Sequence, residues 1–161
     1  MPLHPCPLPK SKVPITKLTR QQFVREWVAA LRSGKFAQTT GRLHKTPDPS
    51  GVYGHPTRRT YCCLGVACEV ARAHGSRLAA RDLGRDGVVP RDWLKKFLGS
   101  TDPELRYSKA AAGRVRASVL NDRKKLSFRQ IASAIERTFL TPTPAPTPKP
   151  RAKARKKGAA Q

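Results

Sequence analysis

Apolar residues recur at helical spacing in several stretches, separated by segments rich in proline and glycine. Phe23, Val24, Trp27, Val28 and Leu31 fall on one face of a 3.6-residue period. Thr19 and Gln22 form a capping-box pair, Leu18 and Phe23 a hydrophobic staple, and Gly34 the left-handed stop, so the pattern predicts a helix over 20–33. Residues 61–74 are apolar or small almost all round. At 100° per residue only Gly65, Glu69 and Arg72 gather into a polar face, which predicts the central helix of the domain, ended by Gly75. Pro90 opens a helix over 90–98 as its first residue, with Trp93, Leu94, Phe97 and Leu98 on its apolar face and Gly99 as its stop. Ser108 caps a helix over 109–120 with Ala111, Ala112, Val115 and Val119 facing inward, and Asn121-Asp122 reads as a turn. Ser127 and Gln130 repeat the capping box and Leu126 and Ile131 the staple. Phe128, Ile131, Ala132, Ile135 and Phe139 complete a last stripe before Pro142. Trp27 and Trp93 each lie in a stripe and are expected to be buried.

The intervening segments are irregular. Residues 34–60 are broken by Gly41, Pro47, Pro49, Gly51, Gly54 and Pro56, a long loop of the kind that carries function or moves. A short hairpin around Gly51 that places Val52 and Tyr61 on strands is compatible with it. Residues 76–87 are polar and punctuated by glycine. Prolines at 2, 5, 7, 9 and 14 mark residues 1–18 as a flexible arm. Residues 141–150 alternate proline with small residues as a stiff spacer, and a disordered basic tail follows to 161. The predicted fold is mostly α: one small helical domain over 19–140 with one long irregular loop and flexible proline-rich or basic termini.

Charge changes this picture most. The 161 residues hold 33 Lys and Arg against 10 Asp and Glu, a formal net charge of +23. Three bases lie in 1–18 (Lys10, Lys12, Lys17) and six in 142–161 (Lys149, Arg151, Lys153, Arg155, Lys156, Lys157), with no acid in either segment. The remaining 24 bases and all the acids lie in 19–141, at +14. Self-repulsion of that size opposes a compact state unless a polyanion relieves it, and nucleic acid is the commonest polyanion. The candidate phosphate contacts are Lys35, Arg42, Lys45, Arg58 and Arg59 of the long loop, Arg123, Lys124 and Lys125 after the predicted turn, and Arg151, Lys153, Arg155, Lys156 and Lys157 of the tail. None belongs to a motif that reads bases, so the expected binding is sequence-nonspecific. No apolar run approaches the roughly 20 residues of a bilayer span, so no membrane insertion is expected. Residues 1–5 have neither the charged nor the apolar region of a secretory signal, so a cytoplasmic location is expected.

Candidate chemistry is sparse. Cys62, Cys63 and Cys68 share one helix but point three ways, and no second pair at metal-ligand spacing follows. They read as small core residues, with no metal or cofactor expected. A catalytic thiolate at Cys62 needs the helix dipole and a basic neighbour such as Arg58, Arg59 or His55; His44 and His55 read as solvated loop residues. Residues 127–135 resemble the first helix of a helix-turn-helix, but no recognition helix follows before Pro142. There is no GxxxxGK[ST] loop, although Tyr53 and His55 in the basic loop could cradle a phosphate.

Several short strings, in order, carry a resemblance: Leu31-Arg32-Ser33-Gly34-Lys35-Phe36, Tyr61-Cys62-Cys63-Leu64-Gly65-Val66-Ala67-Cys68, Val89-Pro90, Leu120-Asn121-Asp122, and Ser127-Phe128-Arg129-Gln130-Ile131-Ala132. In patches over 30–140 the chain resembles a family of small tailed-phage and prophage proteins. The resemblance implies a source and a fold, not an activity. Arg123-Lys124-Lys125 stands where that pattern has a glycine-containing turn. The combined expectation is a non-enzymatic, phage-type accessory protein in the cytoplasm of a bacterial host, holding nucleic acid through its phosphates. Alternatives are a binder of a host protein or small nucleotide and, third, a cysteine-dependent enzyme.

Overall fold

Helix α1 (Arg20–Arg32) begins at its capping box: the Thr19 side chain accepts from the Gln22 N–H, and the Gln22 side chain accepts from the Thr19 N–H. It ends at Gly34, whose φ is +71°. The computed structural model describes residues 7–46, 59–83, 90, 92–107 and 113–141, and within them the protein is mostly α. The remaining elements are β1 (Ala37–Gln38), β2 (His44–Lys45), β3 (Thr60–Tyr61), α2 (Cys63–Ala73), α3 (Arg77–Leu83), α4 (Lys95–Leu98), β4 (Glu104–Leu105), β5 (Val115–Arg116), α5 (Ala117–Asp122) and α6 (Phe128–Phe139). No helix among the described residues is long and apolar enough to cross a membrane.

The core lies where α1, α2 and α6 meet. Phe23, Trp27, Cys63, Leu64, Cys68, Ile131 and Ile135 are all fully buried there. The Trp27 indole donates to the Cys63 carbonyl at 2.9 Å, which joins α1 to the first turn of α2. Phe23 stacks on Phe97 with centroids 4.5 Å apart, holding α4 against α1. Trp93 is only half-buried: it meets Phe23 edge-on, and its indole donates to Asp82 at 2.7 Å. Leu94, Phe97 and Leu98 of the same stripe are buried in the core, and only Trp93 lies at its edge. The α6 capping box at Ser127 and Gln130 forms as expected.

Several segments differ from the sequence reading. Residues 77–83, expected to be irregular, form α3, because the Ser76 hydroxyl accepts from the Ala79 N–H at 3.2 Å and Ala79, Asp82 and Leu83 are buried against α2. The helix expected over 90–98 is a 3-10 turn (Asp92–Leu94) followed by α4. Val115 and Arg116, expected on a helix over 109–120, form β5, antiparallel to β4 with Leu105 opposite Val115. The helix starts only at Ala117, and residues 108–112 lie outside the described residues. Asn121 and Asp122 close α5 rather than forming a turn, because tertiary partners hold the buried Asn121 amide in place. The chain reverses after them, with Lys125 at φ +50°. That is the left-handed position a glycine would fill most easily.

The proline-rich start is not a free arm from residue 7 onward. The Ser11 N–H donates to the Ala73 carbonyl at 2.9 Å and the Ile15 N–H to the His74 carbonyl at 2.8 Å. His74 is buried at the end of α2, with Nδ1 2.6 Å from the Val13 carbonyl and Nε2 2.6 Å from Glu26.

Inside the long loop, β3 is the middle strand of three, parallel to β1 and antiparallel to β2. Tyr61 therefore lies on a strand as expected, but its partners are Gln38 and His44; Gly51 and Val52 lie outside the described residues. The face of α2 that carries Gly65, Glu69 and Arg72 is covered. Leu43 lies on Gly65, and its carbonyl accepts from the Cys62 N–H at 3.1 Å.

Candidate functional site

The structure divides the predicted phosphate contacts into groups. Gln38 of β1 reaches across to the α5–α6 turn. Its amide nitrogen donates to Asn121 Oδ1 at 3.0 Å and to the Leu126 carbonyl at 2.7 Å, while its oxygen accepts from the Phe128 N–H at 3.2 Å. Asn121 Nδ2 donates back to the Thr39 carbonyl at 2.8 Å. This network lays the segment carrying Lys35 and Arg42 beside the turn carrying Arg123, Lys124 and Lys125, all of them exposed. Lys45 is half-buried on β2. Lys124 Nζ stands 5.1 Å above the Tyr107 ring.

Arg59 does not join them. It is half-buried and hydrogen-bonds the Tyr61 hydroxyl, inside a covered cluster. There the Glu69 carboxylate accepts from the Tyr61 hydroxyl at 3.1 Å and from Arg72 Nε at 2.8 Å. Burial, then the Glu69 charge, pushes the Tyr61 phenol well up, and Arg59 opposes that shift. The Tyr61–Glu69–Arg72 contacts clamp β3 to α2. Arg58 and the tail residues Arg151, Lys153, Arg155, Lys156 and Lys157 lie outside the described residues.

The cysteines behave as core. Cys62 caps α2, and its sulfur accepts from the Gly65 N–H at 3.4 Å. Burial still wins over the helix terminus and pushes its thiol up to about 11, away from the thiolate a nucleophile needs. Cys63 and Cys68 are fully buried and raised further by the same cause. His44, expected in solvent, is half-buried on β2 with its ring 6.3 Å from that of Tyr61; His55 lies outside the described residues. Among the described residues no three His, Cys, Asp or Glu side chains gather to hold a metal.

A second basic surface escaped sequence reasoning. A cleft of about 850 Å³ opens between the start of α1, the β4–β5 hairpin and the end of α6. Arg20, Arg106, Arg114 and Arg116 line it, with Leu98 and Phe139 supplying apolar wall. The hairpin register sends Leu105 into the core, while Glu104 and, across the ladder, Arg116 are exposed. The Arg106 N–H donates to Thr138 Oγ1 at 2.9 Å, and Arg137 Nη2 donates to the Tyr107 carbonyl at 2.7 Å, so α6 fixes this end of β4. The Arg20 guanidinium lies 4.9 Å over the Phe139 ring. Arg20 is the first residue of α1, where a cation opposes the helix dipole at a cost of about 0.3–1 kcal/mol. The detectable signal was Arg114-Val115-Arg116, a strand alternation that disappears once the segment is assigned to a helix.

Most acid side chains of the described residues have a partner within the protein, Glu104 excepted. Glu26 meets His74, Glu69 meets Arg72, Asp82 meets Trp93, Asp92 meets Lys95 and Glu136 meets Arg32. Asp102 accepts from the Ser118 N–H at 3.0 Å, and Asp122 accepts from Asn121. Among the described residues, by contrast, Lys35, Lys45, Arg123, Lys124 and Lys125, and the four cleft arginines, stand in no salt bridge. No protein-family model, curated protein or solved structure matches the chain.

Proposed function

We propose that the protein is a non-enzymatic, phage-type accessory protein that binds nucleic acid through phosphate contacts in the cytoplasm of a bacterial host, without reading sequence. The observation that carries this reading is the asymmetry of charge pairing. Most carboxylates of the described residues have a partner within the protein, while Lys35, Arg123, Lys124, Lys125 and the four cleft arginines stand in no salt bridge among the described residues. A surface of that kind gains free energy by exchanging condensed counterions on a polyanion for its own cations. The raised Cys62 thiol speaks against the cysteine-dependent alternative.

The test is binding of a fluorescein-labelled 20-base-pair duplex from 50 to 300 mM salt, for the full chain and for a 1–141 truncation. Affinity should fall steeply and linearly in log–log form. The six bases of 142–161 contribute about −0.9 to the slope for each phosphate engaged, so truncation should flatten it by up to about 5. The loss should be the same on unrelated sequences, since the tail sequence carries no motif that reads base edges. Absence of binding at 50 mM salt, or binding indifferent to salt, refutes the proposal.

A further inference from the structure

We infer that the arginine cleft is a site for a single strand of nucleic acid, separate from the turn surface that meets phosphates in general. The inference rests on the polyanion reading above. Four guanidinium groups arrive at one concavity from three distant stretches of chain: Arg20 from α1, Arg106 from the end of β4, and Arg114 and Arg116 from the β5 side. None is neutralised by a described carboxylate. Of the two acids on the cleft wall, Asp102 is turned onto Ser118, which leaves Glu104.

Shape and side-chain type select the ligand. At about 850 Å³ the cleft has the size of a small-molecule site. A duplex presents a convex phosphate surface and keeps its bases stacked inside, so it cannot fill such a concavity. A single strand can place a phosphate and an unstacked base there. Arginine is suited to that task, because its planar fork binds phosphate oxygens in pairs and its face stacks on bases. Phe139, half-buried on the cleft wall, lies beneath Arg20, and half-buried Tyr107, next in the chain to Arg106, lies beneath Lys124. Aromatic platforms interleaved with cations are how sequence-tolerant single-strand sites are built. Tyr107 follows Arg106 directly in the chain, at the edge of the cleft wall. Arg20, set against its own helix dipole, is explained by this role and not by helix stability.

The experiment measures anisotropy of fluorescein-labelled dT12, U12 and a 12-base-pair duplex at 100 mM salt, using the full chain. Compared are the unaltered protein, the triple variant Arg106→Ala, Arg114→Ala, Arg116→Ala, and a charge-matched control, Arg77→Ala, Arg81→Ala, Lys96→Ala. The triple variant should lose tenfold or more on dT12 and U12 and less than threefold on the duplex, and the control less than threefold on all. Equal losses for the triple variant and the control on the single strands overturn the cleft site and leave the polyanion reading standing. Equal losses of the triple variant on strand and duplex overturn the single-strand assignment. Failure of the unaltered chain to bind any of the probes, at this salt or at 50 mM, overturns both readings. If the triple variant melts early, Arg114→Glu, at an exposed residue outside any regular element, replaces it under the same criteria.

Discussion

Replacing Gly65 by alanine sets two effects of opposite sign against each other. Gly65 lies inside α2, where alanine is favoured over glycine by about 1 kcal/mol on backbone propensity alone. The packing opposes this. A Cβ at position 65 runs into the carbonyl oxygen of Leu43, and backbone cannot rotate aside as a flexible side chain can. Overpacking a well-filled site costs about 1–3 kcal/mol. If the segment instead lifts off α2, Leu43, 1% exposed, loses about 1.5–3 kcal/mol of burial. The Cys62 N–H then also loses its acceptor, at about 1–3 kcal/mol. The cheaper response sets the cost, so after the propensity gain the net destabilisation is on the order of 1 kcal/mol, roughly 4 °C in Tm. Urea unfolding followed by Trp27 fluorescence reads it. Gly34→Ala gives the contrast: its φ is +71° but nothing lies within 4 Å of the added methyl, so only backbone strain of about 1–2 kcal/mol applies. A Gly65→Ala protein as stable as the parent, or more so, would show that the loop does not seat on α2 and that propensity decides.

Trp27→Ala should cost about 3–5 kcal/mol, enough to unfold a marginal domain, because the side chain is fully buried and its indole holds the Cys63 carbonyl; urea or thermal melts by circular dichroism measure it. Alkaline pH should also destabilise the fold. The Cys62 thiol ionises near its ordinary 9.0 in the unfolded chain but only at about 11 when folded, so its contribution is complete below pH 9 and is lost as pH rises to 11. Two units correspond to about 3 kcal/mol, and the raised Tyr61 phenol acts in the same direction. The urea midpoint should therefore fall between pH 8 and pH 10.5, and fall less in Cys62→Ala; identical pH profiles for the two proteins would contradict this.

Local signals were legible wherever they were self-contained. Both capping boxes, the α1 and α6 stripes, the stops at Gly34, Gly75 and Gly99, and the burial of α2 all follow from spacing and cap chemistry. Expectations failed where a distant partner decides the outcome. Asn121 reads as a turn residue until Gln38 and the Thr39 carbonyl, some 80 residues away in sequence, hold its amide at the end of a helix. Arg59 reads as a free cation until the Tyr61 hydroxyl takes its guanidinium. Ser11 and Ile15 read as linker until the carbonyls that end α2 accept from them. The candidate site failed for a related reason. Counting charge gives +14 for residues 19–141 but cannot say which bases are consumed by acids, since the pair Arg32–Glu136 joins residues far apart in the chain. Once that pair is removed, a surplus of cations remains. Much of it stands on the 123–125 turn and around the β4–β5 hairpin, and the hairpin depends on pairing Glu104 with Arg116, a contact that no helical reading of 109–120 can produce.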